Sequence, residues 1–255
     1  MAKLITISQE ELNKIIENHQ HYLHADCDGW ETMRADLRSL DLSYMDLSHA
    51  DLRYANLYHA YLSHANLSYT RLSYTNLAFA DLYYADLTDA DLSHTDLFHA
   101  FLSHAILSHA DLSHTNLSYA YLDHADLSYA NLFNTDLTDV HYDETTTFFA
   151  LQCPEKGSFI GYKKSGDKIV ELRIEEDSKR SSATTRKCRA SKVTVLSITS
   201  LDGKEEFTIC ENTGKYEFTY EVGKTYEIED FDENRWHECG KGIHFFLTRQ
   251  EAVKY

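Results

Sequence analysis

Residues 80–99 read ADLYYADLTDADLSHTDLFH, four consecutive five-residue units in which Leu82, Leu87, Leu92 and Leu97 hold the same place. The register A-(D/N)-L-x-x runs in both directions from there. Leu recurs without a break from Leu37 to Leu137, 21 consecutive positions, so the period governs the fold before any local propensity does. Two residues before most of these Leu sits a small residue, Ala at Ala35, Ala50, Ala55, Ala60 and Ala65, or Thr at Thr70, Thr75 and Thr95. A period of five suits neither a helix, which wants apolar residues at 3.6 spacing, nor a strand, which wants alternation. It becomes consistent when each unit forms one straight side of a polygon and then turns a corner. Leu and the small residue then both point inward, and each coil needs neighbours to bury its core.

This register, held from Ala35 to Val140, resembles the pentapeptide-repeat family. The resemblance implies a mainly β fold, a right-handed quadrilateral parallel β-helix with four units per coil. Five coils stacked at about 4.8 Å make a rod on the order of 25 Å long. The expected organisation is a capping helix and entry segment over 1–34, the β-helix over 35–142 and a C-terminal α+β domain of unknown function over 143–255.

A solenoid's open ends expose unpaired backbone and need covers. Ser8 with Glu11 forms an S-x-x-E capping box. Leu12, Ile15, Ile16 and Leu23 then fall on one helical face, which predicts a helix over about Gln9 to Leu23 lying across the first coil near Leu40 and Met45. The stretch ISQEELNKIIENHQHYL also resembles the leader of many bacterial and phage pentapeptide-repeat proteins.

The formal charge of −17 is unevenly spread. From Ala35 to Val140 there are fourteen Asp, no Glu, no Lys and three Arg, so the acidity belongs mainly to the repeat. That disfavours nucleic acid as a partner of the repeat through phosphate neutralisation. It leaves open a basic protein partner, or imitation of nucleic acid. The five cysteines are widely spaced and form no C-x-x-C pair, as expected of free thiols in a reducing compartment. The N-terminus lacks the apolar core of a signal peptide and no stretch is apolar enough for a membrane span. A cytoplasmic location without membrane contact is expected.

The second residue after each Leu is aromatic in 17 of 21 units: nine His, seven Tyr and Phe79. At twenty residues per coil, Tyr44, His64, Tyr84, His104 and His124 form one column, and rings at strand spacing can stack. Metal ligation by such rows, for instance His104 with His124, is the competing reading. Rows of one ligand type on a flat face seldom close a tetrahedral site, so no metal is assigned. Protonating stacked imidazoles would also place like charges side by side, which predicts stability falling below about pH 6.

The Asp/Asn column fails at Tyr61, Arg71, Phe101, Ile106 and Tyr121. Tyr61, Phe101 and Tyr121 differ by multiples of twenty, so they share an outer face with Asp41 and Asp81. Tyr58 and Phe98 stand on the adjoining corner, and Tyr83 belongs to the same face. Apolar rings clustered on an acidic rod mark a contact surface. The candidate interaction surface is Tyr58, Tyr61, Tyr83, Phe98, Phe101, Ile106 and Tyr121.

Beyond Val140 the period vanishes. SFIGYKK, KIVELRI, KVTVLSIT, EEFTIC, KYEFTYEV, KTYEIE and IHFFL read as strands, with turns at Gly166-Asp167, Asp202-Gly203, Thr213-Gly214 and Gly223. TRQEAVKY closes as a short helix with a Thr248/Glu251 box. The stretch KRSSATTRKCRASK carries Lys179, Arg180, Arg186, Lys187, Arg189 and Lys192 with no acid among them. It reads as a basic loop, solvated, docked on acid or holding an anion, nucleotide or nucleic acid. His237, Cys239 and His244 invite a metal or nucleophile reading without an identifiable base or matching ligand pair. These stretches, with KIVELRI and GIHFF, resemble an uncharacterised domain that accompanies repeats in bacterial, phage and viral proteins.

No paired carboxylates, Ser/His/Asp set or phosphate-cradling Gly loop can be picked out. The expectation is a non-catalytic interaction scaffold with no cofactor and an unidentified protein partner. A monomer is favoured, and lateral pairing through Phe101 and Tyr121 is the alternative. The resemblance adds a second function: some members imitate B-form DNA and bind DNA gyrase. The members that protect gyrase commonly carry loop insertions or a C-terminal dimerising helix, whereas here the repeats run uninterrupted.

Overall fold

The Leu residues at five-residue intervals from Leu37 to Leu132 are buried, none more than 2% exposed, and the backbone around them closes into a right-handed quadrilateral β-helix. The computed structural model describes residues 4–147, 149, 151–212, 218–237 and 239–255. The chain splits into two compact units, residues 1–150 and 151–255.

In the first unit each side of the coil carries one parallel bridge to the residue twenty positions on, as in Asp41↔Tyr61↔Asp81↔Phe101↔Tyr121↔His141. Each bridge is bonded in both directions. Leu62 N–H donates to Asp81 C=O at 2.7 Å and Asp81 N–H to Ala60 C=O at 2.9 Å. At each corner the Leu carbonyl accepts the N–H three residues later, as from Ala55 to Leu52 at 3.0 Å, with the residue between held left-handed (Tyr54, φ 64°). That is a type II turn, which normally wants Gly or Asn at this place.

Two sequence rules follow from this geometry. The Asp or Asn before each Leu accepts the backbone N–H two residues on, as Asp46 does from Ser48 at 3.0 Å and Asn116 from Ser118 at 3.1 Å. It thereby satisfies a corner donor that would otherwise be orphaned. The inward Thr satisfies a second lone pair of the Leu carbonyl on the preceding coil: Thr75 donates to Leu52 at 2.8 Å, Thr95 to Leu72 at 2.8 Å and Thr115 to Leu92 at 2.6 Å.

The entry cap uses hydrogen bonds as much as apolar cover. Strand β1 (Ile5–Thr6) pairs in parallel with β2 (Leu40–Asp41). Helix α1 (Gln9–His24) starts on the Ser8/Glu11 capping box and buries Leu12 and His19 fully. Ile15, Ile16 and Leu23, expected on the buried face with Leu12, are only partly covered. Gln9 pairs with the backbone of Asp46 in both directions, donating to its carbonyl at 2.8 Å and accepting its N–H at 3.0 Å. Gln20 donates to Asp51 C=O at 3.1 Å. At the other end Asp143 accepts backbone N–H groups from Thr145 and Thr146, both at 3.0 Å. Hydrogen bonds from the Thr145 hydroxyl and from the backbone N–H groups of His124 and Thr145 hold its carboxyl well below the usual carboxylate range.

The second unit is α+β. Strands β3 (Phe159–Ser165), β4 (Lys168–Ile174), β5 (Arg180–Ser182), β6 (Cys188–Ala190), β7 (Lys192–Ser200), β8 (Glu206–Phe207), β9 (Ile209–Asn212), β10 (Phe218–Glu221), β11 (Thr225–Glu227) and β12 (Ile243–Phe245) precede helix α2 (Arg249–Lys254). An antiparallel sheet runs β11-β7-β4-β3, with β8 also on β7; β12-β6-β5 form a second sheet and β9-β10 a hairpin. Alternation in KIVELRI and KVTVLSIT buries Val170, Leu172, Ile174, Val193 and Val195 together with Ile243 and Phe245. Thr248 and Glu251 form the box that starts α2. The Thr213-Gly214 turn read from sequence lies outside the described residues. The basic stretch, read as a loop, contributes β5 and β6, which pair antiparallel with each other, while the other edge of β6 pairs with β12. Among the described residues no helix is long and apolar enough to cross a membrane.

Candidate interaction surface

Four corners carry four columns of side chains, and the left-handed position is the one the sequence fills with His, Tyr or Phe. For a residue with a Cβ that conformation costs about 1–2 kcal/mol, and it recurs at every corner from Ser39 to Asp139. Ring stacking between coils offsets it. Tyr44, His64, Tyr84, His104 and His124 stack in one unbroken ladder, with centroids 4.8, 5.0, 4.5 and 4.4 Å apart. On the neighbouring corner His59, Phe79, His99 and Tyr119 stack at 5.0, 5.4 and 5.2 Å. His104 and His124 lie face to face, their planes within 6°. Ring nitrogens bind metal in the ring plane, so stacked imidazoles do not converge on an ion between them.

The side bounded by these two ladders holds most of the expected surface residues. Tyr61, Tyr83 and Phe101 are exposed, Phe101 by 46%. Phe101 stacks on Tyr121 at 5.2 Å and Tyr121 on His141 at 4.5 Å. Tyr83 stands edge-on to Tyr84 at 4.5 Å and to His104 at 5.4 Å. Tyr58 and Phe98 pack edge-on against Phe79, at 5.7 and 5.4 Å, and so belong to the bounding corner. Ile106 bridges Asp86 and Asp126, which puts it on the next side, apart from the other six.

A groove of about 460 Å³ lies in this side, lined by His59, Ala60, Tyr61, Phe79, Asp81, Tyr83, Phe101 and Ser103. Sequence reasoning placed Asp81 on this side without singling it out, and it missed His59, Phe79 and Ser103. The signal was available in the twenty-residue spacing that relates His59 to Phe79 and Tyr83 to Ser103.

The six basic residues of the second unit each have their own partners. Lys179 pairs with Glu233 and Arg186 with Glu251 at 2.8 Å. Lys192 pairs with Asp177 at 2.7 Å. Arg180 donates to the carbonyls of Pro154 and Glu175 at 3.1 and 2.8 Å, and Lys187 lies 5.5 Å from the Tyr255 ring centre. Arg189, 2% exposed, donates to Ser181 and to Asn234 C=O at 3.2 and 2.9 Å, and burial lowers its pKa. Farther along, His237 is held by Asp232 at 2.8 Å and Asn234 at 3.1 Å. His244 pairs with Arg189 across β12 and β6, and Cys239 is exposed. The closest metal-like set among the described residues is elsewhere: donor atoms of His21, Asp26 and Cys27 lie within 4.8 Å of one another. There the His21 Nδ1 already meets Asp26 at 2.7 Å.

Residues 33–68, 60–97 and 105–141 match the family described as pentapeptide repeats, and residues 149–252 match a family of unknown function, DUF5758. Among solved structures, the chain is similar to a pentapeptide repeat protein from the Arabidopsis thaliana thylakoid lumen at 31% identity. That match covers 42% of this chain and 72% of the other, with a TM-score of 0.27. A pentapeptide repeat protein from Nostoc PCC 7120 is 27% identical over 55% of this chain and 99% of its own, with a TM-score of 0.29. QnrB1, a plasmid-mediated fluoroquinolone resistance protein, is 22% identical over 44% of this chain and 66% of its own, with a TM-score of 0.26. No curated protein matches.

Proposed function

Because the chain belongs to the pentapeptide-repeat family, we propose that it is a non-catalytic interaction scaffold that binds a protein through the side of its β-helix bearing Tyr61, Phe101 and Tyr121. The observation that carries this reading is a broken structural rule. In most units the residue before Leu is an Asp or Asn that satisfies a corner N–H, as Asp81 does for Tyr83 at 3.1 Å. Phe101 has no acceptor to offer Ser103, and an unmade bond of this kind costs on the order of 1 kcal/mol. An exposed ring replaces that bond, and violations without structural gain concentrate at functional sites. The rings sit between two stiff ladders on a backbone bonded on both edges, so the surface is ordered before it meets a partner.

Co-purification from source cells tests the reading, with the full chain compared with a Tyr61→Asn, Phe101→Asn double variant. Asn restores the corner bond, so the variant should melt no lower than the native chain. A protein retained by the native chain and lost by the variant supports the reading; retention unchanged by the variant overturns it.

The acidity of the repeat supports a second reading, imitation of DNA toward a DNA-binding protein such as gyrase. Many Asp carboxylates are engaged by their own corners, as Asp86 is by Thr88 at 3.0 Å and Asp111 by Ser113 at 3.0 Å, and rings interrupt the acidic columns. A supercoiling assay with no effect at high excess of the full chain removes this reading.

A further inference from the structure

The column that carries the rings lacks one rung. Phe101, Tyr121 and His141 stack without interruption. One coil before Phe101 stands Asp81, and one coil before that stands Tyr61. A ring at position 81 would continue the ladder. The short carboxylate instead leaves a gap of two coil steps, about 9–10 Å, between Tyr61 and Phe101. This gap is the groove described above, with His59 and Phe79 on one side, Tyr83 and Ser103 on the other, and Asp81 in its lining.

We propose that the gap is a binding site for the guanidinium of an arginine on a protein partner. The proposal rests on the scaffold reading, since the site lies within that surface. A flat group midway between the two rings would sit about 4.8 Å from each, close to the 5.2 Å and 4.5 Å rungs beyond it. A cation there faces aromatic rings, whose faces attract it. The carboxylate of Asp81 supplies the counter-charge. It accepts the Tyr83 N–H at 3.1 Å and makes no other hydrogen bond or ion pair among the described residues. No cation from the repeat is shown to meet it. The repeat has no Lys, and its three Arg are taken by Asp36 and Asp51: Arg38 by the first at 2.6 Å, Arg53 and Arg71 by the second at 2.8 and 3.0 Å. Arginine fits better than lysine because a planar, weakly hydrated cation stacks on both faces while donating from its edge to the carboxylate. An ammonium is compact and would leave the gap half filled.

The test titrates the full chain with a blocked Gly-Gly-Arg-Gly-Gly peptide and with its lysine and citrulline counterparts, following the ring signals of Tyr61 and Phe101 by NMR. The arginine peptide should saturate in the millimolar range. Citrulline, of the same shape without the charge, should bind about tenfold more weakly, and lysine should fall between. Asp81→Asn keeps the acceptor for Tyr83, as Asn56 does for Tyr58 at 3.2 Å, and should weaken the arginine peptide by about the same tenfold. Asp81→Tyr should fill the missing rung and abolish binding while the β-helix stays folded. Equal shifts with arginine and citrulline, or undiminished binding by Asp81→Asn, would overturn the proposal. A cellular partner lost on Tyr61→Asn with Phe101→Asn, yet kept by Asp81→Asn, would overturn the arginine site and leave the scaffold reading standing.

Discussion

The imidazole of His19 and the carbonyl of Arg53 are joined by a 2.9 Å hydrogen bond, buried where α1 covers the first coil. The other ring nitrogen, Nδ1, accepts the N–H of Ala35 at 3.1 Å, so the neutral ring with its proton on Nε2 closes two orphaned backbone groups at once. Burial lowers the pKa of His19. The Arg53 carbonyl and Asp51 oppose that shift, and Arg34 and Arg53 add to it. An unfolded His titrates near 6.5. As pH falls through that value the unfolded chain binds a proton that the folded one refuses, so this contribution to stability is full above about 6.5 and declines as the pH drops below it. His19→Leu should cost about 1–3 kcal/mol at pH 7.5. The native chain should also lose more stability than the variant between pH 7.5 and 5.5, as read by thermal melts at each pH. Equal losses in both chains would remove His19 as a source of the pH dependence.

Ile106 occupies a place in the Asp/Asn column where a polar side chain would serve the fold better. An Asn there could accept the Ser108 N–H and donate to Asp86 one coil earlier, as Asn66 donates to Asp46 at 3.1 Å and Asn116 to Asp96 at 3.0 Å. Ile106 is exposed, so little apolar burial is lost. Ile106→Asn should therefore stabilise the first unit by about 0.5–1.5 kcal/mol, seen as a raised melting temperature. A lowered one would contradict the role given to the Asp/Asn column.

The Leu row, both capping boxes and the alternating strands were legible because each is periodic or local. His19 was not. Its partners are backbone groups of Ala35 and Arg53, and no pattern within α1 announces them. Asp81 was hidden for a different reason: it obeys the Asp rule of its own unit, and only its neighbours twenty residues away make it a gap. The strand around Arg189 has β12, far along the chain, as one of its two partners, which a local reading of a basic stretch cannot supply.

Gly161 in β3 tests the packing of the second unit. A Cβ there would meet Cδ2 of Phe245 at 2.6 Å, and Phe245 is fully buried, so its ring cannot swing away. Gly161→Ala should destabilise the second unit by about 1–3 kcal/mol through overpacking. Amide hydrogen exchange across β3 and β4 should quicken, while exchange in the β-helix coils stays as in the native chain. Unchanged protection of β3 and β4 would mean that β12 does not pack on this strand as described.

Leu87 tests the inward row. It is fully buried, its N–H donates to Ile106 C=O at 2.7 Å and its C=O accepts from Ala90 at 3.1 Å. The backbone is therefore bonded on both sides whatever the side chain is. Leu87→Ala should leave a cavity and cost about 2–5 kcal/mol, lowering the melting temperature of a coil that still forms. Leu87→Lys is a different perturbation, because the residues facing it are the inward Leu and Ala of adjoining sides. An ammonium finds no partner there, and burying it uncompensated costs more than the cavity does. The first unit should lose its β-type circular dichroism at 25 °C in the lysine variant and keep it in the alanine one. A lysine variant that melts like the native chain would place residue 87 on the outside and break the assignment of the whole row.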